Sequence, residues 1–247
     1  MSSQHDPYGD PELATLYDLD NPDGPDHAYY RALADALNAR SIIDLGCGTG
    51  LLTRSLCAPG RTVVGVDPSP SMLAVARSRR DADRVHWIDG EAAAVPQTGD
   101  VDLVVCTGNA IQHIGPEELP ATLQYVAGAL RTGGTFSFES RNPAAREWEQ
   151  WTPGATAGER YTAFGHLREW LEVTEVDEGR KVVFDAHNVV DGGQDRVYTS
   201  VLHFRTADEF ARELTSAGFT GIEITGDWPG GPVADGSRLL IVRAVRD

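Results

Sequence analysis

The chain has 247 residues, of which 41% are hydrophobic, enough to bury a full core as one large domain. A net charge of −16, with Lys181 the sole lysine among 21 basic residues, excludes a basic stripe, a Gly-Lys phosphate loop and a Tyr-x-x-x-Lys pair, and argues against nucleic acid as partner. No run approaches the roughly 18 apolar residues of a membrane helix, and MSSQHDPYGDPEL has neither a basic nor an apolar signal segment, so a cytoplasmic protein with no membrane partner is expected.

From residue 26 the pattern alternates between helix and strand. A helix over 26–39 precedes the strand SIIDL, the helix GLLTRSLC, the strand TVVGV and the helix SPSMLAVARSRR. The strands RVHWI and DLVVC, the helix PEELPATLQYVAGAL and the strand TFSFE follow. Short strands alternating with helices imply parallel βαβ units and an α/β sheet covered on both faces. After Glu139 the rhythm changes. LREWLEVTEV, KVVFDAHNVV and RVYTSVLHF are rich in β-branched and aromatic residues and joined by the turns DEGR and DGGQD, so three antiparallel strands are expected. TADEFARELTSAG then reads as a helix with Thr206 as cap, Glu209 three places on and Gly218 closing it, before two last strands in FTGIEIT and SRLLIVRAV. The chain thus reads as a single domain over 1–247, with an antiparallel β insertion at about 140–205 over the edge of the sheet where ligands bind.

Within IIDLGCGTGLL, a strand runs into a glycine loop and then a helix, which lets backbone approach a ligand and offers it free N–H groups. The rival is the dinucleotide fold, whose GxGxxG is followed about 20 residues on by an acid; Asp67 fits either case. Three features favour a different cofactor. Asp44 ends the first strand, where it can reach an ammonium directly or through water, the third glycine is at 50 and not 51, and WIDGEAAAVP sets Asp89 and Glu91 where an adenine edge would sit.

Together DLGCGTG, VVGVDPS, DGEAAAVP and DLVVCTGNAIQHI resemble the successive cofactor motifs of class I S-adenosylmethionine-dependent methyltransferases, over about residues 40–140. The resemblance implies a Rossmann-like sheet of order 3-2-1-4-5-7-6 with the last strand antiparallel, and S-adenosylmethionine as cofactor. It implies that Asp44, Gly46, Cys47 and Gly48 hold the methionine moiety, and that Asp67 bridges the ribose hydroxyls. Pro68 and Met72 would pack on adenine, with Gly90, Glu91 and Ala92 at its edge and Cys106 below the methyl group. Counting back from Pro96 assigns the adenine amino group to Glu91, with Asp89 as the alternative acid.

TGNAIQHI lacks the Asn/Asp-Pro-Pro-Tyr tetrapeptide of nucleobase and glutamine methylases, which points to a small-molecule acceptor, with an amine nitrogen placed ahead of oxygen or carbon. His113 matches a histidine of many small-molecule methyltransferases and is read either as a general base or as a packing residue at a helix start. Tyr17, in ATLYDLDNP, resembles the tyrosine of an N-terminal lid over about 1–25, with Tyr8 and Tyr29 as further candidates; Tyr29 and Tyr30 share a helix face with Leu33 and Leu37 and read as core. Glu139 and Arg141 leave the fifth strand at the active edge, to bind the acceptor or to pair in the loop, and Trp170, with Trp148, Trp151 and His166, would wall the acceptor or pack the insertion. Cys47, Cys57 and Cys106 show no metal-ligand spacing and are expected to be reduced, and no metal is implied. Other functions compatible with such a loop are a nicotinamide oxidoreductase and a non-catalytic cofactor-binding protein. Nothing in the pattern decides between a monomer and a homodimer.

Overall fold

The computed structural model describes residues 8–234 and 236–247; the start of the lid, residues 1–7, lies outside them. The elements in chain order are α1 (Pro11–Asp20), α2 (Pro25–Ala36), β1 (Ser41–Leu45), α3 (Leu51–Ser55), β2 (Thr62–Asp67), α4 (Pro70–Ser78), β3 (Val85–Asp89), β4 (Val101–Cys106), α5 (Leu119–Ala129) and β5 (Leu130–Arg141). After these come α6 (Pro153–Thr156), β6 (Gly158–Thr162), β7 (Gly165–Asp177), β8 (Lys181–Val190), β9 (Asp195–His203), α7 (Ala207–Ser216), β10 (Phe219–Thr225) and β11 (Leu239–Arg246).

A seven-stranded sheet runs β3-β2-β1-β4-β5-β11-β10. The first five strands pair parallel, whereas β11 is antiparallel to both β5 and β10. With the insertion strands set aside, this is the expected order 3-2-1-4-5-7-6. The register places Asp44 opposite Gly65 and Asp67 opposite Asp89, so several strand ends carrying acids meet along one edge. One face of the sheet packs on α5 and α7 through Val104, Leu123, Phe136, Phe138, Phe210 and Phe219. The other packs on α2 and α3 through Tyr30, Leu33, Ile42, Leu52 and Leu56. Tyr30 is fully buried, as its helical spacing predicts.

The insertion is a second sheet of order β6-β7-β8-β9, antiparallel throughout, and so has four strands where three are expected. The missed one, GERYT, is an edge strand whose residues are all exposed or half-buried, so the sequence carries no apolar alternation to betray it. The lid also holds a ten-residue helix, α1, started by the Asp10 carboxylate accepting from the Glu12 and Leu13 amides at 2.8 and 3.2 Å with Pro11 behind it. The last helix has its capping box as predicted, Thr206 and Glu209 bonding reciprocally.

Candidate active site

The glycine loop folds back on the second strand. The Gly46 and Cys47 amides donate to the Val66 carbonyl at 2.8 and 3.1 Å, and the Gly50 amide to Cys47 at 2.9 Å. Gly46 has φ +75°, and a Cβ there would stand 2.9 Å from that of Ala110, so only glycine lets this turn lie against the segment after β4. Gly50 has φ +70°, and a Cβ there would meet the Trp87 ring at 2.3 Å. The loop is locked by Asp67, whose two oxygens accept from the Gly48 amide at 2.7 Å and the Ser69 amide at 2.9 Å. The Gly90 amide donates to the Asp67 carbonyl at 3.0 Å, drawing the 90–92 corner to the same point. One acid thereby registers three loops.

Two more carboxylates lie beneath. Asp44 is 1% exposed; one oxygen accepts from the Thr53 hydroxyl at 2.7 Å, while Oδ1 is buried with no partner. Burial pushes its pKa up to about 7, against the Thr53 hydrogen bond and with the charges of Asp67 and Glu139 adding. Glu139 accepts from the Tyr30 hydroxyl and, at 2.9 Å, from the Asn109 amide; burial pushes it also up to about 7. The Cys47 and Cys106 thiols are raised by burial and stay neutral.

Above this edge opens a cavity of about 620 Å³, within the range of small-molecule sites. Its wall includes Gly46, Gly48, Asp67, Pro68, Met72, Glu91, Ala92 and Cys106. The lid supplies Tyr8 and Tyr17, and the turn after β4 supplies Thr107, Gly108 and His113. Tyr8 Oη lies 3.1 Å from His113 Nε2, and its ring meets both His113 and Tyr17 edge-on at 5.5 and 6.3 Å. Burial, and then Tyr8, Asp67 and Glu139, hold the Tyr17 phenol well above its usual range, so it is a neutral hydroxyl.

Of the residues singled out in the sequence, Asp44, Cys47, Gly90, Glu139 and Arg141 stand outside the wall, whereas Tyr17, His113 and the rest of the cofactor set form it. Arg141 donates to Gln112 Oε1 at 3.1 Å, approaches Glu147 at 3.7 Å and lies over the Trp151 ring at 5.3 Å. Trp170 does not reach the cavity: it stacks on His187 at 4.6 Å in the insertion sheet, because the strand period turns it to the face carrying that neighbour. Trp148 packs on Phe204, Trp151 on Phe184 and His166 on Tyr161, so the insertion aromatics pack the insertion. Trp228 packs on Tyr29 and Tyr30, and Asp227 closes its own loop by accepting from the Gly231 amide at 2.6 Å. The sequence reading missed the α5 side of the wall, Glu118, Thr122 and Tyr125, and the buried Gln112. Gln112 had a signal in standing next to His113, whereas the α5 residues lie in a helix that reads as sheet cover.

A parallel sheet reversing into one antiparallel strand, with a glycine loop clamped by the acid of the second strand, defines the Rossmann-like class of S-adenosylmethionine-binding folds. Residues 42–134 match a family described as methyltransferase domain. The chain is 30% identical over 242 residues to a dTDP-3-amino-3,6-dideoxy-alpha-D-glucopyranose N,N-dimethyltransferase of Streptomyces fradiae, covering 91% of this chain and 89% of that one. Among solved structures it superposes on the CcbJ methyltransferase of Streptomyces caelestis with a TM-score of 0.76 at 20% identity, covering 98% of this chain and 99% of that one. A sugar N-methyltransferase of a Streptoalloteichus species gives a TM-score of 0.75 at 19% identity, over 100% of this chain and 96% of the other. The chain belongs to the S-adenosylmethionine-dependent methyltransferases, which sets aside the nicotinamide and non-catalytic alternatives. The residues present suit that cofactor. The orphaned Asp44 oxygen is a buried acceptor lacking a cation, and Gly46, where a Cβ would collide with Ala110, presents bare backbone on the cavity wall. Among the described residues, no helix is long and apolar enough to cross a membrane.

Proposed function

We propose that the protein methylates an amine nitrogen of an amino sugar or a similar small molecule, with His113 taking the proton that the amine must lose. The observation that carries this reading is the position of His113 on the cavity wall, hydrogen-bonded to Tyr8 of the lid and beside the neutral Tyr17. When bound, S-adenosylmethionine supplies a methyl group on a good leaving group, so the protein's work is alignment, exclusion of water and removal of one proton. In this reading Asp44 faces the methionine ammonium, Asp67 holds the ribose, and Pro68, Met72, Glu91 and the Ala92 amide hold adenine. Tyr17 donates a hydrogen bond to the acceptor or closes over it, and Arg141 braces the turn through Gln112. The named amino-sugar relative supports the acceptor class. The charge of −16 argues against nucleic acid as a partner, and the reading places the protein in the cytoplasm as a monomer or homodimer.

Incubation with methyl-labelled S-adenosylmethionine and a panel of aminodeoxy sugars, phenols and carbon acids tests this. Label is expected on the sugar nitrogen; label confined to phenols would replace the amine reading by oxygen transfer.

A further inference from the structure

Next to the cavity wall, but not part of it, one charged side chain touches the turn that carries His113. Glu139 is 2% exposed, and its two oxygens bind different elements: one accepts from the Tyr30 hydroxyl of α2, the other from the Asn109 amide at 2.9 Å. Gly108 and Asn109 have φ of 67° and 59°, two left-handed residues in succession. Such a turn leaves amides that neither strand nor helix satisfies, and a non-glycine residue held there is strained unless its surroundings hold it. The turn leads directly into the short 3-10 helix Ala110–His113, whose last residue is His113. Two residues further along the same strand, Arg141 Nη1 holds Gln112, the neighbour of His113, at 3.1 Å. The β5 strand thus grips both ends of this segment.

We propose that Glu139 is a positioning residue: through the Asn109 amide and the Tyr30 hydroxyl it fixes the turn that aims His113 at the cavity, touching neither acceptor nor cofactor. The proposal rests on the reading of His113 as the proton acceptor. It replaces the expectation that Glu139 binds the acceptor, since a carboxylate so buried, with both oxygens engaged, has no face to offer a ligand.

The test is a double-mutant cycle on turnover with an aminodeoxy sugar as acceptor, comparing the native protein, Glu139→Ala, His113→Asn and the combination, with cofactor affinity measured by calorimetry. Glu139→Ala is expected to lower kcat about tenfold or more, to leave cofactor affinity within about threefold, and to add less than about twofold once His113 is Asn. Glu139→Gln keeps an oxygen for the Asn109 amide and should recover most of the loss. Equal losses in both backgrounds overturn the proposal and leave His113 in place, as does a rise in KM without a fall in kcat. Full turnover by His113→Asn alone defeats the base reading, and this proposal with it. Should Glu139→Ala fail to fold, Glu139→Asp, whose carboxylate is drawn back by one methylene, enters the same cycle with the same deciding outcomes.

Discussion

The carboxylates of the cofactor edge and those of the insertion sheet do different things with the same chemical group. At the edge, Asp67 accepts from the Gly48 and Ser69 amides and Glu139 from Asn109 and Tyr30, all in buried surroundings. In the insertion, Glu159 pairs with Arg168, Glu169 with Arg160, Glu175 with Lys181 and Asp195 with His187, mostly in partly exposed positions. A buried carboxylate bonded to backbone N–H fixes a loop, because an unpaired amide or charge there would cost several kcal/mol. An exposed ion pair largely offsets its own desolvation and entropy. Geometry for chemistry is therefore concentrated at the edge, and the insertion should tolerate change.

The sharpest way to break that contrast is His113→Asn. If the edge carries the chemistry, kcat should fall about 10² to 10⁴-fold with cofactor affinity unchanged, and the acidic limb of the pH profile should vanish. A limb of the same midpoint in both proteins would belong to another group, and His113 would lose its role.

Next in size is Asp67→Ala. Removing charge-assisted bonds to the cofactor should weaken binding by about 1.5 to 3 kcal/mol, and freeing the Gly48 and Ser69 amides should lower thermal stability as well. Calorimetry and thermal unfolding separate the two. Unchanged affinity in a folded variant would remove Asp67 from the ribose.

Asp44 gives a pH test of the same edge. Burial raises its folded pKa to about 7, well above the ordinary carboxylate range, so the native state holds a proton that the unfolded chain has lost; its contribution to stability is present at low pH and fades as pH rises through about 7. A cofactor ammonium selects the ionised form. Affinity should thus rise with pH toward 7, by at most about tenfold per unit, with proton release on binding. Asp44→Asn should abolish this slope; a slope that persists belongs elsewhere.

How much of this could be read from the sequence follows the same contrast. The strand ends and glycine loop were legible because Gly46 and Gly50 occupy conformations with no room for a Cβ, a demand that leaves its mark on residue type. The capping box of α7 was legible for the same reason. Glu139 was read as binding the acceptor or pairing within the loop, and residue type alone could not show that its carboxylate accepts from the Asn109 amide and the Tyr30 hydroxyl. Which of its two readings holds for Trp170, walling the acceptor or packing the insertion, could not be read off, because an aromatic in a strand looks the same on either face until the register is known. The α1 helix owes its order to partners distant in sequence, Asp10 bonding Tyr198 and Arg196 of β9, whereas GERYT pairs with the adjacent β7 and escaped notice because an edge strand shows no apolar alternation.

Trp170→Ala should cost about 0.5 to 1.5 kcal/mol of stability through the lost stack on His187, with no change in acceptor KM or cofactor affinity. A rise in acceptor KM of tenfold or more would return Trp170 to the substrate site and erase the contrast.

The smallest effect is expected where the two regions meet. Asp20 of α1 pairs with Arg160 of β6, one contact being 2.8 Å, and Arg160 also reaches Glu169 at 3.2 Å. Asp18 of the same helix pairs inward, with Thr49 of the glycine loop and Arg79 beyond α4. The lid is therefore held from both sides, but the Arg160 side is partly open to solvent, so Arg160→Ala should cost only about 0.2 to 1 kcal/mol. That energy enters turnover only through the placement of the lid residues Tyr8 and Tyr17 against His113, which limits the rise in acceptor KM to about fivefold. Because exposed pairs are screened over about 10 Å at 0.1 M salt, the difference between variant and native protein should shrink as salt is raised toward 1 M. A salt-independent loss of much more than fivefold would show that the insertion shapes the acceptor site directly.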